Sequence, residues 1–135
     1  MAKIAAKPVL FKAPVSVGSD EYTAHLNRAE FVPTQPTAGW TDLDGKTTNF
    51  GGDSSWVLEL AGCQDWETVN SLSQFLNEHE GENITVSFPF AGATHSATVV
   101  AAAVNIGGTV NTPAVFAKQL AVQGKPTSTP IEEED

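Results

Sequence analysis

Cysteine is nearly absent from this chain of 135 residues, since Cys63 is the only one. A single cysteine excludes an internal disulfide and a thiolate cage around a metal ion. A free cysteine is usually a small buried thiol, and we expect Cys63 to be one. The fold must therefore rest on its core, and a chain of this length is enough for one domain with such a core.

Basic residues are also scarce, with seven Lys and Arg against 16 Asp and Glu, for a net charge of −9. Residues 132–135 are all acidic, which leaves about −5 on the rest of the chain. Such a charge repels phosphate and anionic membrane surfaces. Tight nucleic-acid binding and membrane binding are therefore not expected, and no cluster of bases interleaved with aromatic residues argues otherwise.

Long apolar runs are missing as well, because no stretch approaches the ~20 residues of a membrane helix. The first residues do not show the basic and then apolar pattern of a signal peptide. We therefore expect the chain to be made in a cytoplasm and to reach its destination without a secretion signal.

The apolar residues that are present are largely Ala, Val and Phe, mixed with Thr and Ser, a composition that suits strands. Several stretches alternate apolar and polar residues with the period of two expected of a strand with unlike faces. In one of them, Ile84, Val86 and Phe88 share a face. The predicted strands are residues 9–17, 21–32, 37–42, 54–62, 83–90, 95–106 and 113–123.

Residues 66–80 have a different period, with apolar residues at steps of three and four. This spacing predicts an amphipathic α-helix of about four turns. Asp65 is the predicted N-cap and Gly81 the predicted C-terminal stop. The residues expected to pack this helix against the sheets are Trp66, Val69, Leu72, Phe75 and Leu76.

The combined pattern predicts a mainly β (α+β) fold, a β-sandwich or open barrel of about seven antiparallel strands with one flanking α-helix. Residues 1–126 form one domain that begins with a basic arm, and residues 127–135 form a disordered acidic tail. Residues 45–53 are polar and rich in glycine, which indicates a mobile loop.

No group of residues in the sequence points to catalysis. His25, His79 and His95 lie on three different predicted elements without metal-ligand spacing. The acids around the glycine-rich loop lack the spacing of a calcium-binding loop. Nothing orients Cys63 and His79 as a nucleophile and its base. We therefore predict no metal, no cofactor and no enzymatic activity.

Residues 64–82, QDWETVNSLSQFLNEHEGE, resemble the helix region of major tail proteins from long, non-contractile-tailed phages that infect actinobacteria. Residues 17–20 look like the opening of that family, and Trp40 with residues 43–45 looks like its second turn. Residues 106–108 and 122–126 look like its end. The resemblance spans residues 3–126, and its helix motif is the most specific part.

The resemblance implies a tail tube subunit, with a β-sandwich and a flanking helix like the inner tubes of contractile tails and type VI secretion systems. Such subunits close into hexameric rings that stack around the tape measure protein and form the channel for DNA ejection. The implied partners are further copies of the chain, the tape measure, and the tail terminator and distal tail proteins. DNA would pass without specific binding, and the protein would reside in the virion tail.

This role leads to three expectations about surfaces. A Thr-, Ser- and Asn-rich strand face would line the channel, where few cations hold phosphate. The loop that stacks one ring on the next is expected to include Trp40, Asp42, Asp44, Lys46, Phe50 and Asp53. Opposite charges at the two termini could attract between rings, namely Lys3 and Lys7 against Glu132, Glu133 and Glu134.

Two other functions fit the same composition. One is a phage capsid decoration or head–tail completion protein, which is also β-rich and also assembles on a symmetric particle. The other is a binding module such as an immunoglobulin-like adhesin domain. The predicted helix argues against the binding module, because a pure sandwich has no reason to insert an amphipathic helix between its strands.

Overall fold

Two antiparallel β-sheets face each other across an apolar core in a computed structural model that describes residues 2–131. The described residues contain one α-helix, α1, which is preceded and followed by strands in the sequence. A 3₁₀ turn spans Thr23–His25. The elements are β1 Ser16–Val17, β2 Asp20–Glu21, β3 Leu26–Thr34, β4 Thr37–Thr41, β5 Thr47–Gly51, β6 Ser55–Cys63, α1 Leu72–Glu78, β7 Asn83–Phe90, β8 Ala93–Val100, β9 Val115–Ala121 and β10 Thr127–Pro130.

The strands divide into two packed sheets and a separate hairpin. Sheet A has the order β10-β8-β7-β1-β2, and sheet B has the order β3-β6-β9. Strands β4 and β5 pair only with each other. After β9 the chain crosses from sheet B to sheet A. There Val122 donates its N–H to Trp56 in β6 (3.1 Å), and Gln123 donates its N–H to Thr98 in β8 (2.7 Å).

The core forms where the inner faces of the two sheets meet. Leu58 and Leu60 of sheet B and Val86 of sheet A are fully buried. The rings of Phe31 and Phe88 stack across the interface, with centroids 5.4 Å apart. The alternation predicted for residues 54–62 and 83–90 is therefore confirmed, because every second side chain of each strand enters this core.

The mainly β prediction is confirmed, with antiparallel sheets and one α-helix in the described residues. Within residues 2–131 the sheets stay open and do not close into a barrel. There are more strands than the expected seven, because several are short. Strands β1 and β2 have two residues each, and β5 and β10 occupy segments expected to lack regular structure.

The helix is shorter than the predicted helix 66–80, because the first half of that predicted segment is not helical. It begins after the N-cap Ser71, whose hydroxyl accepts from the Gln74 amide (3.4 Å), and it ends at Glu78. Asp65 caps a separate turn instead, and Asn70 has a φ of 62°, which no α-helix accommodates. Gly81 does have a left-handed φ of 85°, but it lies beyond the helix C-cap, His79. In this segment the preference of Asp, Asn and Ser for turns prevails over the apolar spacing that predicted a longer helix.

Three other predicted strands have different limits in the structure. Of residues 9–17 only Ser16–Val17 pair, since Pro8 and Pro14 cannot donate to a ladder. The predicted strand 21–32 is divided by the 3₁₀ turn at Thr23–His25. The predicted strand 95–106 begins earlier, at Ala93, and stops at Val100.

Two segments expected to be irregular are ordered strands. The predicted mobile loop contains β5, which pairs with β4 residue by residue from Thr37↔Gly51 to Thr41↔Thr47. The predicted disordered tail contains β10, which pairs with β8 from Thr127↔Ser96 to Pro130↔Ala93. Short polar stretches carry little local signal. Pairing with the neighbouring strand β4 orders β5, and pairing with the distant strand β8 orders β10. Residues 132–135 lie outside the described part of the chain.

No helix between residues 2 and 131 has the length and apolar character needed to cross a membrane.

Candidate assembly surfaces

The outer face of sheet A consists largely of hydroxyl side chains. Residues directly opposite each other in an antiparallel pair share a face. Because Val86 and Val99 point into the core, their chain neighbours Thr85 and Thr98 point outward. The hydroxyl residues that this register places on the outer face are Ser16, Thr85, Ser87, Thr94, Ser96, Thr98, Thr127 and Thr129.

This face, named here the hydroxyl face, carries no Lys or Arg in the described strands β1, β2, β7, β8 and β10. One row of it crosses four strands, from Ser16 through Ser87 and Ser96 to Thr127. A hydroxyl is neutral and both donates and accepts hydrogen bonds. The surface is therefore wettable without a fixed positive charge.

The outer face of sheet B is chemically different. Arg28 forms ion pairs with Glu30 (3.0 Å) and Glu59 (2.5 Å), and Gln119 donates to Glu59 (2.9 Å). Charged side chains thus cover one outer face of the sandwich and hydroxyls the other. Sequence reasoning anticipated a polar strand face but not which sheet would carry it.

The β4–β5 hairpin extends from the end of sheet B where β3 ends and β6 begins. All ten residues of its two strands are exposed. Its tip is ordered by Asp42, whose Oδ1 accepts from the amides of Asp44 (2.9 Å) and Lys46 (3.0 Å). The hydroxyls of Thr41 and Thr47 meet across the strands at 2.9 Å.

The hairpin has one apolar face and one polar face. Ala38 lies opposite Phe50 and Trp40 opposite Thr48, so both aromatic residues lie on one side. Trp40 is 66% exposed and Phe50 58%, while Leu43 is fully exposed at the tip. Isolated two-stranded hairpins are marginally stable in water. An amphipathic one with its aromatic face uncovered is typical of an element that packs against another molecule.

The structure thus groups most of the residues predicted for ring stacking on one element. Trp40 and Phe50 form its apolar face, and Asp42, Asp44 and Lys46 form its tip. The sixth residue, Asp53, lies beyond β5 at the base of the hairpin.

Three of the five residues predicted to pack the helix do so. Leu72 and Leu76 are fully buried, and Phe75 packs against the core. Trp66 and Val69 are 38% and 81% exposed, because they precede the true start of the helix. The prediction is wrong for these two residues.

Trp66 instead lines a shallow groove, named here the end groove, that sequence reasoning missed. Its other large apolar residues, Ile106 and Val110, are exposed at 76% and 83%. In the sequence, the signal of this groove was the pair of branched apolar residues, Ile106 and Val110, on either side of Gly107-Gly108. The pattern around them has no strand or helix period, so no surface was predicted from them.

The titratable residues take up structural contacts. His25 lies 3.9 Å from Asp65, and His79 bonds to Glu82 at 2.5 Å. Hydrogen bonds from Thr68 hold the pKa of Asp65 below its ordinary value, with smaller contributions from the Glu67 amide and His25. Burial raises the pKa of Tyr22, and the charge of Asp20 adds to this effect.

Cys63 is exposed at the end of β6, so the expectation of a buried thiol is wrong. The described residues contain no group of three or more His, Cys, Asp or Glu side chains that could hold a metal ion. Lys3 and Lys7 lie in an exposed segment before β1. Their expected partners Glu132, Glu133 and Glu134 lie outside the described residues.

Comparison with known proteins gives a structural likeness. No protein-family model matches the sequence, and no curated protein sequence does. One solved structure that matches is a chain of the virion of a native gene transfer agent particle. The two chains superpose with a TM-score of 0.63 at 16% identity, over 86% of this chain and 95% of the other. At this identity the likeness is one of fold.

Proposed function

We propose that this chain is the structural subunit of a virion tail tube, polymerising as stacked hexameric rings around the tape measure protein. The similar fold of a chain in a gene transfer agent virion supports a role in such a particle. The hydroxyl face of sheet A is the observation that carries the tube assignment. We assign that face to the channel wall.

The chemistry of that face suits the passage of DNA. Each phosphate that a Lys or Arg neutralises releases counterions and adds affinity. A wall of neutral hydroxyls, with the carboxylate of Glu21 opposite Ser16 in the β2 strand at one edge, keeps water in contact with the DNA and adds no such affinity. The outer face of sheet B suits a channel wall less well, because it carries fixed charges of both signs, with Arg28 paired to Glu30 and Glu59.

The open edges of both sheets fit a subunit that closes into a ring. Strands β3 and β9 end sheet B, and β2 and β10 end sheet A. Unpaired strand edges invite aggregation, and closure into a ring removes them. A solitary copy leaves these edges free, whereas a closed ring pairs or covers them.

The hairpin is the proposed contact between rings. Its aromatic face is uncovered in one copy, and its Asp42-ordered tip keeps the two strands in register. The tape measure, the terminator and the distal tail proteins are proposed partners at the lumen and at the two ends of the tube.

The charged termini are a secondary proposal. Lys3 and Lys7 on one ring would attract Glu132, Glu133 and Glu134 on the next. Exposed pairs contribute about 1 kcal/mol or less each, so they tune assembly without driving it. A chain truncated after Pro130 should polymerise with a weaker dependence on salt, and an unchanged dependence rejects the idea.

Negative-stain microscopy of the purified protein at increasing concentration tests the main proposal. We expect hollow rods of stacked hexameric rings. A matched variant, in which a short Gly-Ser turn replaces residues 37–51, should still unfold cooperatively on heating and form no rods. A wild-type protein that stays monomeric at high concentration, or that coats only phage heads, contradicts a tail tube.

A further inference from the structure

The end groove and the hairpin lie at opposite ends of sheet B. The hairpin joins the end of β3 to the start of β6, while the groove follows Cys63 at the end of β6 and borders the start of β9. Nine residues of β6 separate them, which corresponds to roughly 30 Å. The two apolar surfaces therefore cannot meet within one molecule.

The groove is a built surface rather than a loose loop. Its volume is about 560 Å³, and Gln64 holds its two walls together. The Gln64 amide donates to the carbonyls of Gly107 (2.7 Å) and Val115 (2.8 Å). Its Oε1 accepts from the Gly107 amide (3.1 Å) and the Trp66 indole (3.2 Å). Gln64 thus holds both ends of the segment that forms the groove, at Gly107 and Val115.

The groove is also chemically matched to an aromatic occupant. It is lined by Gln64, Trp66, Ile106, Thr109, Val110, Thr112, Ala114 and two glycines, with no charged side chain among these residues. An occupant that covers the groove therefore buries no charged side chain of the groove without a partner. On the hairpin the Asp42 carboxylate already accepts two amides, so its hydrogen bonds survive docking of the apolar face.

We propose that the aromatic face of the hairpin of one copy, with Trp40 and Phe50, docks in the end groove of the next copy. This inference rests on the proposed tube function and names the receiving surface of its ring-to-ring contact. A patch at one end that fits a different patch at the other end makes a heterologous contact. Repeated without closure, such a contact produces a filament.

The size of the contact explains why single copies would not associate strongly. Large aromatic side chains bury roughly 150–250 Å² each when enclosed. At their present exposure, Trp40 and Phe50 would together hide on the order of 200–300 Å², with a similar area on the groove side. This total falls below the ~1,000 Å² of a stable pairwise interface. A ring that makes several such contacts at once gains avidity, so stacking favours whole rings over single subunits.

A matched pair of valines tests the groove. Val110 and Val69 are 83% and 81% exposed, but only Val110 lines the groove. We expect Val110→Asp to keep the wild-type circular dichroism and lose its filaments in negative stain, and Val69→Asp to form filaments like wild type. Wild-type filament length from Val110→Asp overturns the inference while leaving the tube function standing.

Mixing two defective variants tests the pairing itself. Trp40→Asp has an intact groove, and Val110→Asp has an intact hairpin, so their mixture offers one working contact. Each variant alone should sediment as single rings, and mixing their preformed rings in equal amounts should give a species of twice that mass, with no longer filaments. A mixture that sediments like its separate components overturns the docking. Absence of filaments from wild type contradicts the proposed function instead.

Discussion

Asp65 shows how one side chain decides where a helix does not start. Its Oδ1 accepts from the amides of Glu67 and Thr68, both at 3.0 Å. These bonds close a turn of their own, and the chain then has to pass Asn70, at positive φ, before the helix begins at Leu72. An acid in this position favours a turn as readily as a helix N-terminus.

The same carboxylate predicts a pH dependence of stability. Its folded pKa lies below the unfolded value, so its contribution is fully present above the unfolded pKa and is lost as pH falls through the folded pKa. Asp65→Asn, which keeps a neutral acceptor, should lower Tm at pH 7. The difference from wild type should shrink below about pH 4.

Thermal unfolding followed by circular dichroism from pH 7 to pH 3 measures this difference. Glu67→Gln in the same turn is the control, since it removes one nearby charge and leaves the carboxylate of Asp65 in place. A Tm difference for Asp65→Asn that stays constant over the whole range contradicts the assignment of the effect to the carboxylate charge.

At the scale of the element, the helix packs on the core next to the end groove, since Gln74 donates to the carbonyl of Trp66. Its two turns place Leu72 and Leu76 in the core, and Phe75 lies against Gly18, where an added Cβ would come within 3.4 Å of the Phe75 ring. Seven residues make an unstable helix on their own. Tertiary packing is what holds it.

Two substitutions distinguish this short helix from the four-turn helix that the apolar spacing predicts. Leu76→Ala removes a fully buried side chain and should cost about 2–5 kcal/mol of unfolding free energy. Val69→Ala lies before the helix on an exposed turn and should change it by no more than about 0.5 kcal/mol. Urea unfolding measures both. A comparable loss for Val69→Ala would mean that the longer helix forms.

At the scale of the whole molecule, the two outer faces differ in what they offer to a polyanion. The hydroxyl face has no cation in its described strands, while Arg28 and two acids lie on the outer face of sheet B. In the proposed ring each side chain is repeated in every subunit, so one substitution would change the charge of the whole proposed channel wall. This repetition makes it possible to test which outer face of the subunit lines the proposed channel.

Tubes of Thr98→Lys should hold duplex DNA that wild-type tubes release. The new cations face the proposed channel, and each phosphate contact should steepen the fall of affinity with salt. Retention of a short duplex during assembly, followed across salt concentrations, measures the effect. Ala117→Lys on the outer face of sheet B is the control, and equal retention by both variants contradicts the assignment of the hydroxyl face to the channel.

The sequence by itself determined the parts that depend on local period and composition. Alternation located β6 and β7 almost to the residue, since one face of each had to enter a core. The scarcity of Lys and Arg was also plain from the sequence, and it leads to the expectation that nucleic acid is not bound tightly. Of the two aromatic residues of the hairpin, Trp40 lay in the predicted strand 37–42, whereas Phe50 lay in the segment predicted to be a mobile loop.

The tertiary structure alone decided which hydroxyls share one face, because that depends on the register of strands as distant as β1 and β10. It also decided that Trp66 belongs to the end groove rather than to the helix, and that groove and hairpin lie at opposite ends of sheet B. Pairing between remote segments sets these relations. A local pattern of apolar residues cannot encode the distance or direction between two surfaces, and the proposed assembly depends on both.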